Sequence, residues 1–95
     1  MAGYIIARIK VTDPEQYEEY KKLSPGAIAA FGGEFIVRGG DTVTMEGPQE
    51  THRVVVVRFE SLEQAKACYQ SERYQQAKSK REGAAEAQFI VVDGV

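Results

Sequence analysis

Apolar residues recur at every second position from Tyr4 to Val11. Ile5, Ala7, Ile9 and Val11 share one side of an extended backbone, and Tyr4, Ile6, Arg8 and Lys10 share the other, which turns polar toward its end. That alternation predicts a strand. The segment from His52 to Glu60 differs. Its run Arg53-Val54-Val55-Val56-Val57-Arg58-Phe59 puts Val55, Val57 and Phe59 on one face and Val54 and Val56 on the other. A strand apolar on both faces belongs in the middle of a sheet that is covered on both sides. Glu34 to Arg38 reads as a short strand. Ala87 to Val92 reads as the last one, with Phe89 and Val91 opposing Ile90 and Val92.

Two segments change to a helical period. Asp13 can cap a helix, Pro14 suits its first position, and Gln16 completes a capping-box spacing. Glu15 lies near the positive end of the helix dipole. Tyr17, Tyr20 and Leu23 or Ser24, then Ala27, Ile28 and Phe31, follow at helical spacing. Glu18, Glu19, Lys21 and Lys22 fall outside, with Glu18 and Lys22 forming a favourable pair. Pro25, within Ser24-Pro25-Gly26, removes a helix hydrogen bond, so a kink or short break is expected before the helix resumes to Phe31. Gly32-Gly33 ends it. Ser61-Leu62-Glu63-Gln64 repeats the capping pattern and sets Leu62, Ala65, Cys68 and Tyr69 on one face. Ser71-Glu72-Arg73-Tyr74 reads as a second cap, so this helix breaks and restarts with Tyr74, Ala77 and Arg81 inward. Gly39-Gly40-Asp41 is turn material, and Thr42 to Glu46 is expected to prolong the strand beyond it.

The element order is β-α-β-β-α-β, an α+β chain of the ferredoxin-like, split βαβ type, with an antiparallel sheet and helices on one face. Two helices cover only one side of four strands. The other side retains Ile6, Val54 and Val56, with either Phe89 and Val91 or Ile90 and Val92. An apolar patch of that kind marks an interaction surface, and a second copy is its simplest partner. A homodimer with sheet packed on sheet is therefore expected. The alternative is a monomer whose fourth strand or termini shield the face.

Composition narrows the function classes. The 95 residues make one domain, 1–95, with twelve Lys and Arg against fourteen Asp and Glu, for a net charge of −2. A nucleic-acid binder usually carries a basic excess. No apolar stretch is long enough to span a membrane. The start, Met1-Ala2-Gly3-Tyr4, lacks the marks of a signal peptide, and Cys68 is the only cysteine. A reducing cytoplasm is the expected location.

Several motifs in order resemble the family called domain of unknown function 1330. They are Tyr4-Ile5-Ile6-Ala7, Val11-Thr12-Asp13-Pro14 with Tyr17 and Tyr20, Gly32-Gly33, and Val37-Arg38-Gly39-Gly40. Ser61-Leu62-Glu63-Gln64-Ala65, Ser71-Glu72-Arg73-Tyr74 and Val91-Val92-Asp93-Gly94-Val95 complete the set, which covers nearly the whole chain. The resemblance implies the dimeric α/β-barrel superfamily, whose members include small cofactor-free monooxygenases, muconolactone-isomerase-like proteins and haem-binding chlorite-dismutase-like proteins. It implies no particular activity, because fold alone does not fix function.

The residues themselves offer a limited chemistry. Tyr17, Tyr20, Tyr69 and Tyr74 can project from helices toward the sheet, where superfamily relatives place a small-molecule pocket. Tyrosine supplies an apolar wall with a hydroxyl tip; the alternative is a set of core aromatics with wet hydroxyls. Arg38, beside two glycines, can hold a carboxylate or enolate oxygen, or can brace a loop. Arg8, Arg53 and Arg58 lie on apolar strands, and ion pairing with Glu46, Glu60 or Asp93 is the default for them. His52 is the only histidine, a weak candidate for a general base and more simply a strand-start residue facing solvent. Cys68 reads as a small core residue. Neither a metal site nor a cofactor is expected. Three readings remain: a homodimer binding a small apolar or aromatic molecule, a cofactor-free monooxygenase or isomerase acting on an enolisable or aromatic substrate, and an interaction module that uses only the dimer.

Overall fold

Strand pairing follows the alternation directly. In the computed structural model, which describes residues 1–95, β1 (Gly3–Val11), β2 (Glu34–Arg38), β3 (Arg53–Phe59) and β4 (Ala85–Asp93) form one sheet in the order β2-β3-β1-β4. All three pairings are antiparallel. With α1 (Pro14–Ala30), α2 (Leu62–Gln70) and α3 (Glu72–Ser79), the chain is α+β with ferredoxin-like topology. The valine run is a central strand, between β1 and β2.

Each helix begins where a side chain can satisfy a free amide. Asp13 Oδ1 accepts from the Gln16 amide at 3.2 Å, Ser61 Oγ from that of Gln64 at 3.1 Å, and Ser71 Oγ from that of Tyr74 at 3.1 Å. The two glutamines do not close their boxes. Gln16 Nε2 donates instead to the Lys80 carbonyl at 2.9 Å, and Gln64 Nε2 to the Phe31 carbonyl at 2.9 Å. Each thus ties its helix to another part of the chain. Ser71 ends α2 and starts α3, which is the expected break and restart.

Two expectations are corrected, the short break in α1 and the strand beyond Gly40. α1 runs without interruption through Pro25. A proline inside a helix costs about 3 kcal/mol, but Ser24, Ala27 and Ile28 around it are buried, and packing of that face outweighs one lost hydrogen bond. The segment from Thr42 to Glu46 forms no strand, and Val43 and Met45 stand 80% and 89% exposed. β-favouring residues form a strand only when they pair, and this segment pairs with none of the four strands. α1 ends as expected. Gly32 takes φ +73°, its amide donates to the Ala29 carbonyl at 3.0 Å, and the Gly33 amide donates to that of Ile28 at 2.9 Å. This is a Schellman closure, which favours glycine at the left-handed position.

All three helices lie on one face. Ile5, Ala7, Ile9, Val57 and Phe59 are buried beneath them. Register places Ile6 opposite both Val56 and Ile90, and Val56 opposite Val37, so an apolar row crosses all four strands on the far face. Val54 and Val92 share that face. Phe89 and Val91 turn toward the helices, which resolves the pair left open above. No helix is long and apolar enough to cross a membrane.

Candidate functional site

Between α1 and the sheet lies a void of about 40 Å³. Its wall is built from alternating strand positions and from one face of α1. Ile5, Ala7 and Ile9 come from β1, Val55 and Val57 from β3, and Tyr17, Tyr20 and Ser24 from α1. Tyr74 closes it from α3 and Phe89 from β4. Tyr20 Oη and Tyr74 Oη lie 2.6 Å apart, and the Tyr17 and Tyr20 rings stack at 5.3 Å between centroids. Burial raises the pKa of Tyr74, with the Tyr20 hydroxyl adding to the effect. Burial also raises Tyr17, reinforced by Tyr20 and opposed by Arg53 and Arg81. Both phenols are neutral at physiological pH, which suits them to donate and accept hydrogen bonds rather than to act as bases.

Arg38 reaches this wall through a strand irregularity. Phe35 stands opposite Val57, but Val37 stands opposite Val56 and Arg38 opposite Val55. Ile36 is therefore an extra residue, a bulge that turns Arg38 to the helix side of the sheet. The Arg38 guanidinium carbon sits 4.2 Å from the centroid of the Phe35 ring, and both side chains line the void.

Of the other expected residues, Tyr69 does not line this void. It stacks at 5.1 Å on Tyr74 and at 5.7 Å on Phe89, beside a more open cleft with Lys66 and Gln70. His52 also lies apart. Its Nδ1 is 3.4 Å from Glu50 Oε1, and its amide donates to the same oxygen at 3.0 Å. Ile6, Val54 and Val56 lie on the far face, half-buried by their strand neighbours. Cys68 is fully buried, its thiol donating to the Ala27 carbonyl at 3.8 Å, and burial pushes its pKa up to about 11. No cluster of His, Cys, Asp or Glu is placed to hold a metal ion.

The strand arginines part company. Arg8 pairs with Glu50, through Nε at 2.7 Å and Nη2 at 3.0 Å, rather than with any of the three acids expected. Glu50 lies just before β3, and Arg8 shares a face with Val54, its cross-strand partner. Arg53, opposite Ile9, instead faces the helices and lines the void. Its default of ion pairing is not met: Arg53 Nε is buried without a hydrogen-bond partner. The signal was its parity with Val55 and Val57, which places all three on one face. Arg81, only 8% exposed, stacks at 4.6 Å on Phe89 and 5.2 Å on Tyr20. Burial works against its charge, but the Tyr74 and Tyr20 oxygens outweigh that and hold its pKa up.

A four-stranded antiparallel sheet with its helices on one face defines an α+β, ferredoxin-like protein. Within that class the chain belongs to the family described as Domain of unknown function (DUF1330), whose model matches residues 2–95. Solved structures agree on the fold. A protein of unknown function from Rhodopseudomonas palustris superposes with TM-score 0.77 at 18% identity, over 99% of this chain and 82% of its own. SnoaB, a cofactor-independent oxygenase from Streptomyces nogalater, gives TM-score 0.68 at 10% identity, over 99% and 93%. A dimeric protein of unknown function and ferredoxin-like fold from Bacteroides fragilis gives 0.65 at 13%, over 98% and 96%. No match is found among curated proteins.

Proposed function

We propose that the protein is a cytoplasmic homodimer that binds a small apolar or aromatic molecule between helices and sheet. The observation that carries this reading is the void itself: eleven of its fifteen lining residues are hydrophobic, and Tyr17, Tyr20, Arg38 and Tyr74 meet there. Pockets of this composition, apolar with a few convergent polar groups, are the usual sites for small ligands. A cavity near 150 Å³ accepts a benzene ring, so at about 40 Å³ a ring enters only as side chains such as the exposed Arg38 swing aside. The apolar row Val37, Val56, Ile6 and Ile90 supports the dimer, as does the dimeric state of the Bacteroides fragilis protein of like fold.

A second reading is a cofactor-free monooxygenase or isomerase. It is favoured by Arg38 at the void wall, where a guanidinium can steady a developing enolate oxygen, and by the likeness of fold to the Streptomyces nogalater oxygenase. His52 plays no part in it.

Native mass spectrometry of the purified protein tests both. A dimer carrying one small molecule per subunit is the expected result. A monomer, or a dimer that neither retains a molecule nor takes one up from a library of aromatic fragments, overturns the binding reading. Oxygen consumption or isomerisation of the retained molecule, lost in Arg38→Ala, would make the enzyme reading the right one.

A further inference from the structure

The charged part of the void wall is all of one sign. Beside its eleven hydrophobic residues stand Lys21, Ser24, Arg38 and Arg53, and no carboxylate. Lys21 is already paired with Glu18 at 3.1 Å. Arg38 and Arg53 take part in none of the chain's ion pairs. Arg53 Nε has neither water access nor an acceptor, a state it shares with Arg81 Nε, but of the two only Arg53 lines the void. A buried donor atom left without an acceptor is costly, although the rest of this half-buried guanidinium reaches the Tyr17 hydroxyl.

The position of Arg53 is built rather than incidental. β3 begins with it, and its pairing with Ile9 directs it under α1. Gly39, at φ +73°, closes the turn after β2 with its amide on the Val54 carbonyl at 2.8 Å. A Cβ on Gly39 would come within 2.7 Å of the Arg53 guanidinium carbon. The glycine therefore leaves the space in which the guanidinium lies. Arg38, brought to the same face by the bulge, adds a second fork at the wall.

We propose that the ligand is an organic anion, a carboxylate on a short apolar body, with Arg53 as its anchor and Arg38 as the second cation. This rests on the reading of the void as a binding site and names the chemistry that the site selects. A planar carboxylate accepts two parallel hydrogen bonds from a guanidinium, which a neutral amide cannot match. The tyrosines and aliphatic residues take the apolar body.

The test compares acids with their uncharged isosteres. Propionate and benzoate, each against propionamide and benzamide, are titrated into the full-length protein. Binding is followed by NMR through the arginine Nε–Hε resonances and the tyrosine rings, with Arg53 assigned from its loss in Arg53→Gln. At least one acid is expected to bind saturably, to move the Arg53 resonance, and to bind about tenfold or more tightly than its amide. Arg53→Gln is expected to erase that preference, and Lys22→Gln, on the exposed outer face of α1, to leave it. Should Arg53→Gln not fold, Arg53→Lys carries the test. Loss of the two-pronged fork should then cut the preference several-fold with amide binding unchanged. Equal binding of acid and amide overturns the inference and leaves the apolar-ligand reading standing. A preference that survives in both Arg53 variants overturns the anchor. If neither acids nor amides move the tyrosine resonances, the void is not a binding site and both readings fall.

Discussion

The hydroxyls of Tyr20 and Tyr74 meet 2.6 Å apart and join α1 to α3 above the sheet. Both residues are nearly fully buried, at 6% and 2% exposure. Removing either oxygen leaves the other without this partner, so Tyr20→Phe and Tyr74→Phe should each cost about 1–3 kcal/mol. The double variant should cost clearly less than the sum, since no orphan hydroxyl remains. Urea denaturation of the four proteins measures this, and strict additivity would show that the two oxygens do not interact.

Acid should release the pair between Arg8 and Glu50. The Arg8 guanidinium beside it, followed by the His52 amide, holds the Glu50 carboxyl down at about 2, against 4.5 for a free glutamate. Unfolded chain therefore takes up this proton first as pH falls. The pair contributes fully above the unfolded value, and its contribution fades as pH drops toward about 2. Glu50→Gln should melt earlier than wild type at pH near neutrality, and the two melting curves should converge at the acid end. Because the pair is partly exposed, molar salt should shrink the difference.

The far face offers a test of assembly. Ile6→Glu places a charge at the centre of the apolar row, opposite Val56 and Ile90. Analytical ultracentrifugation should find dimer for wild type and monomer for the variant, with the void side of the fold retained by circular dichroism. Dimer in both would move the interface elsewhere.

Two left-handed glycines should separate stability from binding. A side chain at Gly32 would meet nothing within 4 Å, so Gly32→Ala should cost only the backbone term, about 1–2 kcal/mol. Gly39→Ala carries the same term and also displaces Arg53. Thermal melts should shift in both, and acid binding should be lost only in the second.

Cys68 should be inert in the folded protein. Its thiol is shielded and held near a pKa of about 11, so little thiolate forms and none is reachable. Reaction with a thiol-specific disulfide reagent should proceed at the rate of unfolding, and denaturant should accelerate it. A fast reaction in native buffer would contradict the packing around Ala27 and Cys68.

Local patterns carried the elements well because each rests on near-neighbour physics. The three caps at Asp13, Ser61 and Ser71, the Gly32 ending and the alternation in β1 all depend on residues within one turn or one strand. Where tertiary packing competes, local rules lose: burial of Ala27 and Ile28 carries α1 through Pro25, and Thr42 to Glu46 pairs with no strand. The site was legible in part. Tyr17, Tyr20 and Tyr74 follow from helical spacing, but Tyr69 points one step around toward another cleft. Arg38 could be named but not aimed, because the bulge that turns it has no mark in the sequence. Arg53 was misread because a strand arginine ordinarily finds an acid, and here cross-strand register sends it away from every one.

The bulge at Ile36 has a consequence beyond its own strand. Beyond Phe35, side-chain facing in β2 is set by the bulge, not by residue type. Were the bulge flattened with the same residues, Val37 would face inward opposite Val55, and Arg38 would pass to the far face opposite Val54. The inner wall would then lose a cation while the far face gained one, with no change in composition. Among relatives, whether this strand keeps its bulge is thus a better guide to the charge inside the fold than the residue found at any single position.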